Sequence, residues 1–499
     1  MNQPNIILIV SDQHRGDWIG CAGAPFVHTP NMDRLAQGGI RFGTAYCNAP
    51  LCGPSRMSMM TGRYPHRTGV LDNNDTLGSE VPTMAHALGL AGYETVLCGR
   101  MHFEGPDQRH GFQKRLVGDI VPSYGGGPGT DFGWLRGTVQ QGIKSLQLAG
   151  PGASSVVDYD LAVTEGCERY IRERTASGAE ERPLFMTVGF FAPHSPYVCP
   201  PDLYEQAESA LRGFDPIPRD REPLHPWMED WYKRLKTDEI SDGQIRTARA
   251  GYAGLIGHLD RCIGRVTEAA RALSGDTVIV YVSDHGDMAG DRRMFWKQSF
   301  YEGAARVPMI WHWLSEPDAD AAAGKVPLRG QVVSVPVSLV DLAPTFASLA
   351  GAPELPQTDG RDLSPLLFGQ VPQEEMVEWE ERPVFSELKM IATHSPFRMI
   401  RYRQYKLIYH HDRQYPVQLF DLQNDPQEQH DLGRDEAYAE VRERLLSKLL
   451  EGWDAAGLQA RLIGKLPDKK YLQQWGREVG MGPMDIWHQP VVRKAREDL

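Results

Sequence analysis

The sequence has no long apolar run, no paired-cysteine motif and no surplus of basic charge. No stretch approaches the ~18 consecutive apolar residues of a membrane helix, so a helical span is not expected. Ile6 to Val10 is too short for a secretory apolar segment and has no basic residues before it, which predicts no signal peptide. The seven cysteines (Cys21, Cys47, Cys52, Cys98, Cys167, Cys199 and Cys262) are odd in number and irregular in spacing. That predicts free thiols in a reducing, cytoplasmic compartment and argues against a disulfide framework. The 53 basic residues are outnumbered by 65 acidic ones, for a net charge of -12. This balance argues against a nucleic-acid partner and against a basic membrane patch. It leaves room for a local cluster of cations that binds a small anion. Internal repeats and low-complexity tracts are also missing.

What is present suits a large enzyme. The 499 residues, 41% hydrophobic, allow one large domain and a smaller one around a substantial core. The 50 glycines and 36 prolines suit loops more than a helical bundle. Short apolar runs alternate with helical periodicity. Strands are expected at 5–11, 94–98, 184–191, 277–282 and 307–311, and helices at 30–36, 83–91, 157–174, 241–273 and 338–350. This alternation predicts an α/β fold, a mostly parallel sheet between helices over residues 1–372. In such folds ligands gather at the carboxyl ends of strands. Four polar clusters follow predicted strands: Asp12-Gln13-His14, Arg100-Met101-His102, His194, and Asp284-His285-Gly286-Asp287. Beyond an acidic linker at 374–382, three strand-like runs (383–388, 397–409, 417–421) and a helix from Asp435 to Ala456 predict a small antiparallel subdomain over 373–456. Gly457 is expected to stop that helix. The tail, 457–499, shows little periodicity and is expected to pack against a second subunit of a homo-oligomer.

The most specific signal is Cys52-Gly53-Pro54-Ser55-Arg56 followed by Thr61-Gly62-Arg63. Pro54 is placed to open a helix. The helix N-terminus sets backbone N–H groups beside Cys52, and Arg56 falls one turn further on the same face. A nucleophile flanked in this way is equipped to attack an anionic centre.

This C-x-P-S-R…T-G-R segment resembles the signature of the type I sulfatases, formylglycine-dependent members of the alkaline phosphatase superfamily. The resemblance implies an alkaline-phosphatase-like sandwich. It implies that a formylglycine-generating enzyme oxidises Cys52 to an aldehyde. One hydroxyl of the hydrated aldehyde attacks sulfur and displaces the alcohol; the other expels sulfate. By the same resemblance Asp12, Gln13, Asp284 and His285, with residue 52, hold one divalent metal. Arg56, Arg100, His102, His194 and Lys297 bind the sulfate, support the nucleophile or protonate the leaving group. The family more often has Asp at position 13, Asn at 285 and Lys at 100. Ca²⁺ is the expected metal, and the imidazole of His285 admits Mn²⁺. Asp287 is expected to hydrogen-bond near the metal loop without ligating. Thr95 to Phe103 with Gly105-Pro106-Asp107-Gln108, and Ser299 to Gly303, look most like the choline-sulfatase branch.

The expected activity is hydrolysis of a small-molecule sulfate monoester. The alternative is hydrolysis of a phosphonate monoester or phosphodiester at the same site. A non-catalytic binding protein would be expected to lack some of these residues. Tyr124, Phe132 and Trp134 are candidates for an aromatic cage around a quaternary ammonium.

Overall fold

The computed structural model describes residues 3–122, 127, 129–178, 182–220, 223–315, 326–391, 393–412, 414–479, 485–490 and 494–496. An eight-stranded sheet forms the centre, in the order 331–333, 40–42, 309–313, 277–283, 5–12, 184–193, 94–99, 114–115. Asn5–Asp12 runs parallel to both Leu184–Pro193 and Thr277–Ser283. Those three strands are buried throughout, as their unbroken β-branched and apolar sequences require. Met309–Trp313 pairs antiparallel at one side, so the sheet is mixed at that edge and parallel at its centre.

Helices cover both faces. Ser155–Ala176 and Asp242–Ala270 lie on one side, the latter started by a Ser241–Gln244 capping box. Cys52–Thr61 and Leu342–Ala350 lie on the other, together with the core of Ile6, Leu8, Val280 and Trp311. All ten residues of Cys52–Thr61 are buried, Arg56 included, and the helix's first residue stands at the sheet's carboxyl edge.

The second sheet has four antiparallel strands, Val384–Lys389, Pro396–Tyr402, Tyr405–His410 and Gln418–Asp421. The single run expected over 397–409 is therefore a hairpin, turned at Arg403, whose φ is +50°. The 374–382 segment contains a short helix, Met376–Glu380, anchored by buried Trp379 under Arg361. The helix expected to stop at Gly457 ends at Leu450, where Gly452 takes a left-handed φ of +64°. Gly457 lies inside the next helix, Ala455–Gly464, whose N-cap is Asp454. A further helix, Leu466–Glu478, follows, so the tail carries more structure than its weak periodicity predicted. No helix among the described residues is long and apolar enough to cross a membrane.

Candidate active site

The strand-end clusters converge because of register. Ser11 pairs with Ser283, and a bulge after Val10 sets Asp12 opposite Pro193. Asp12 and Asp284 thus leave adjacent strands at one level. Arg100 turns in from the neighbouring strand through a close backbone passage. A Cβ on Gly189 would lie 1.8 Å from the Arg100 carbonyl oxygen, so only glycine fits there.

Cys52 stands over this edge as the first residue of its helix. Its Sγ lies 3.5 Å from Asp12 Oδ1, 3.2 Å from His285 Nε2 and 3.3 Å from Lys297 Nζ. The Gly53 N–H donates to Asn73 Oδ1 at 2.9 Å, which ties a neighbouring loop to the helix start. The ligand atoms of Asp12, Cys52, Asp284 and His285 all lie within 4.8 Å of one another, and all four residues are buried. Two carboxylates and one imidazole closing on one point fit a divalent cation.

Arg56 sits behind the carboxylates. Its Nε donates to Asp284 Oδ2 at 2.8 Å, Nη2 to Asp12 Oδ2 at 3.3 Å, and Nη1 to the Arg100 carbonyl at 3.0 Å. Each of its guanidinium nitrogens is spent on a protein acceptor, so Arg56 positions the carboxylates. Arg100 also holds Asp12 Oδ2 through Nε, and it donates to Asp119 Oδ1 at 3.1 Å and to His102 Nδ1 at 2.9 Å. Burial alone would raise the Asp12 carboxyl. The charges of Arg100, Arg56 and Lys297 outweigh it and hold the group well below the usual carboxylate range.

The tautomers of three histidines follow from their partners. Arg100 can only donate, so His102 Nδ1 accepts and its proton sits on Nε2. His285 Nδ1 donates to the Gly286 carbonyl at 3.0 Å, which leaves Nε2 open toward Cys52 and the two aspartates. Burial, with Lys297 adding, holds His285 below its ordinary value, in the neutral form that ligates metals. His194 Nδ1 donates to the Ser195 carbonyl at 2.7 Å, and Nε2 accepts from Lys297 Nζ at 2.7 Å. Burial and then Lys297 push His194 well below its ordinary value. Lys297 Nζ also donates to Gln13 Oε1 at 2.6 Å.

Gln13, expected as a metal ligand, follows Asp12 at the cluster's edge, where its N–H donates to Asp284 Oδ1 at 3.0 Å. Nε2 donates to Asp287 Oδ2 at 2.6 Å, and Oε1 receives Lys297. Asp287 also accepts from Tyr197 OH at 2.6 Å and from the Ala289 and Trp296 N–H groups, all hydrogen bonds away from the donor cluster. The remaining cysteines are all free thiols, and burial raises each of them, so they stay protonated. Among the aromatic candidates, Trp134 packs under Arg496 at 5.2 Å and Phe132 packs against the core; Tyr124 lies outside the described residues.

Three buried carboxylates escaped the sequence reading of the site. Asp119 binds the Arg100–His102 turn, and its only signal was a Gly-Asp pair after a short strand. Asp160 accepts from the Phe191 and Ala192 N–H groups at 2.7 and 2.9 Å, just ahead of His194, and burial lifts it to about 7. Glu104 follows His102 by two residues. It is buried and makes no hydrogen bond or ion pair among the described residues.

The Sulfatase family profile matches residues 4–352, which includes all the residues described around Cys52. The chain belongs to the sulfatase family. A second profile, N-sulphoglucosamine sulphohydrolase C-terminal, matches residues 290–454 of this sulfatase. A choline-sulfatase of Rhizobium meliloti is 35% identical over 446 residues, covering 85% of this chain and 81% of its own. An arylsulfatase of Clostridium perfringens is 29% identical, covering 90% and 95%. The phosphonate monoester hydrolase of Silicibacter pomeroyi superimposes with a TM-score of 0.70 at 25% identity, covering 90% of this sulfatase and 95% of that chain.

Proposed function

We propose that the protein hydrolyses an organic sulfate monoester to an alcohol and inorganic sulfate, with residue 52 acting as formylglycine. The observation that carries this reading is the meeting of Cys52 with a donor cluster on one side and Lys297 and His285 within hydrogen-bonding reach. The hydrated aldehyde supplies the oxygen nucleophile, and a formylglycine-generating enzyme is required to make it. Asp12, Asp284, His285 and residue 52, with Gln13 alongside, would hold a divalent cation, Ca²⁺ or in second place Mn²⁺. That cation would neutralise charge on the sulfate oxygens.

The chain's own groups divide the remaining work. Arg56 fixes both aspartates from behind. Lys297 lies between residue 52 and His194, where it can donate to the ester oxygen that leaves as alkoxide. His102 presents Nε2–H, held by the Arg100 guanidinium. Neutral His194 keeps Lys297 oriented through the accepting Nε2.

The alcohol part of the substrate is addressed by Glu104. Gly105 comes close to Thr76, three residues from the Asn73 that accepts from Gly53 N–H, which puts Glu104 in reach of the loop tied to the nucleophile's helix start. The carboxylate form of Glu104, present above about pH 8, favours a cationic alcohol, the class to which the choline of the Rhizobium meliloti relative belongs. Burial, with Asp119 and Asp72 adding, pushes the Glu104 carboxyl from 4.5 up to about 8. The folded-state value lies above the unfolded one. The stability it contributes is therefore complete below the unfolded value and is lost as the pH rises through the folded one. Glu104→Gln is expected to raise Tm relative to wild type at about pH 9 and to leave it unchanged at about pH 4. At about pH 9, where Glu104 is ionised, it is also expected to raise KM for a quaternary-ammonium sulfate by about tenfold, the loss of one charged contact, and to spare an aryl sulfate. Equal KM changes on both substrates would remove Glu104 from the pocket.

The likeness to a phosphonate monoester hydrolase favours a second reading, in which phosphorus esters are turned over at the same site. Side-by-side kcat/KM on an aryl sulfate and an aryl phosphonate, with enzyme of measured formylglycine content, decides the order. We expect the sulfate to win by about tenfold or more; a reversed order would make the phosphorus ester the substrate.

A further inference from the structure

The end of the chain returns to the active-site edge. Asp119 N–H donates to the Asp485 carbonyl at 2.9 Å, and Trp487 N–H donates to the Asp119 carbonyl at 2.8 Å, a parallel bridge centred on Ile486. Thr130 Oγ1 donates to the Trp487 carbonyl at 2.5 Å, and the Trp487 ring meets Tyr159 edge-on at 5.4 Å. Gln489 joins Ser155 and Asp158 at 2.9 and 2.6 Å. A Cβ on Gly118 would stand 2.1 Å from the Asp485 carbonyl oxygen, so this docking requires glycine at 118.

The same Asp119 holds the reactive turn with its side chain. Oδ2 accepts from His102 N–H at 2.8 Å and Met101 N–H at 3.2 Å, while Oδ1 accepts from Arg100 Nη1 at 3.1 Å and Ile120 N–H at 2.8 Å. His102 has a φ of +60°, a left-handed conformation that a non-glycine residue keeps only when its surroundings impose it. The backbone of Asp119 is thus gripped by the C-terminal segment and its carboxylate grips Arg100 and His102.

We propose that residues 485–490 act as a buttress of the active site, with Asp119 as the positioning residue that transmits the tail's hold to Arg100 and His102. Asp119 touches neither Cys52 nor the metal-donor cluster, so its effect is on placement. The proposal rests on the reading above that Arg100 and His102 serve the reaction. It makes a tail far from residue 52 in sequence a determinant of kcat.

A double-mutant cycle in the full-length protein tests it. Gly118→Ala should expel the tail through the Asp485 clash. Asp119→Asn keeps the side chain's shape but turns an N–H₂ toward Arg100 or the turn's N–H groups. Each is expected to lower kcat on an aryl sulfate about ten- to a hundredfold, as small misplacements do, with KM changed less than about threefold. Combined, they should cost no more than Asp119→Asn alone. Trp487→Ala, which leaves the central sheet untouched, gives the same reading if Gly118→Ala fails to fold. Multiplicative losses, or a tail variant with wild-type kcat, would overturn the buttress. Arg100→Ala run alongside separates the two failures: if it too keeps wild-type kcat, the reading of the site falls first.

Discussion

Cys52→Ala is expected to reduce kcat by about a thousandfold or more while leaving the protein folded. Every route to products in this account starts from an oxygen nucleophile built on the Cys52 side chain, and alanine cannot be converted to an aldehyde. Losing a covalent nucleophile removes a whole reaction path, which is why such losses exceed those at supporting residues. The structural cost should be small. The thiol is a single buried atom facing His285 and Lys297, and its removal leaves no buried charge without a partner. Tm should therefore stay within a few degrees of wild type. Activity assays beside a thermal melt make the separation. An unfolded variant would say nothing about chemistry, so the melt is part of the prediction.

Asp12→Asn should damage both properties. Asp12 Oδ2 takes Arg100 and Arg56, and Oδ1 faces Cys52 and His285. Neutralising it leaves two guanidinium groups buried with less compensation, a change that costs ~3–5 kcal/mol in comparable buried pairs. It also removes one donor from the cluster, and kcat should fall about a thousandfold. A denaturation midpoint shifted well below that of Cys52→Ala, together with loss of turnover, is the expected pair of results. If Asp12→Asn melts like wild type, the carboxylate is not the hub of this network. The contrast between the two variants separates a residue that reacts from one that organises charge.

Much of the site could be read from the sequence because its residues follow strands. Asp12, Arg100, His194 and Asp284 each stand just past a run of apolar residues, and a parallel sheet brings such positions together by register. Cys52 could be read because a proline and an arginine at fixed offsets imply a helix starting beneath it. Asp119 could not. Its importance comes from bonds to the Arg100–His102 turn and to residues 485–487, both remote in sequence. The bond from Lys297 to His194 Nε2 also needed coordinates, since the tautomer that allows it follows from what His194 Nδ1 touches.

The fold's missed details share a cause. The hairpin at Arg403 lacks glycine, asparagine or proline at the turn, so the β-branched and aromatic run reads as continuous. Helix ends were misplaced because two glycines, Gly452 and Gly457, compete as stops. Only Gly452 has the left-handed φ of a terminator, while Gly457 is capped into the next helix by Asp454. The final helices have modest apolar faces, with Tyr471 and Val479 exposed, so periodicity was weak there.

The most direct test is the mass of the peptide containing residue 52, taken from active enzyme and followed against specific activity. Conversion of the thiol to an aldehyde should make it roughly 18 Da lighter, and activity should rise in proportion to the converted fraction. Full activity in a preparation whose Cys52 remains an unmodified thiol would contradict the account.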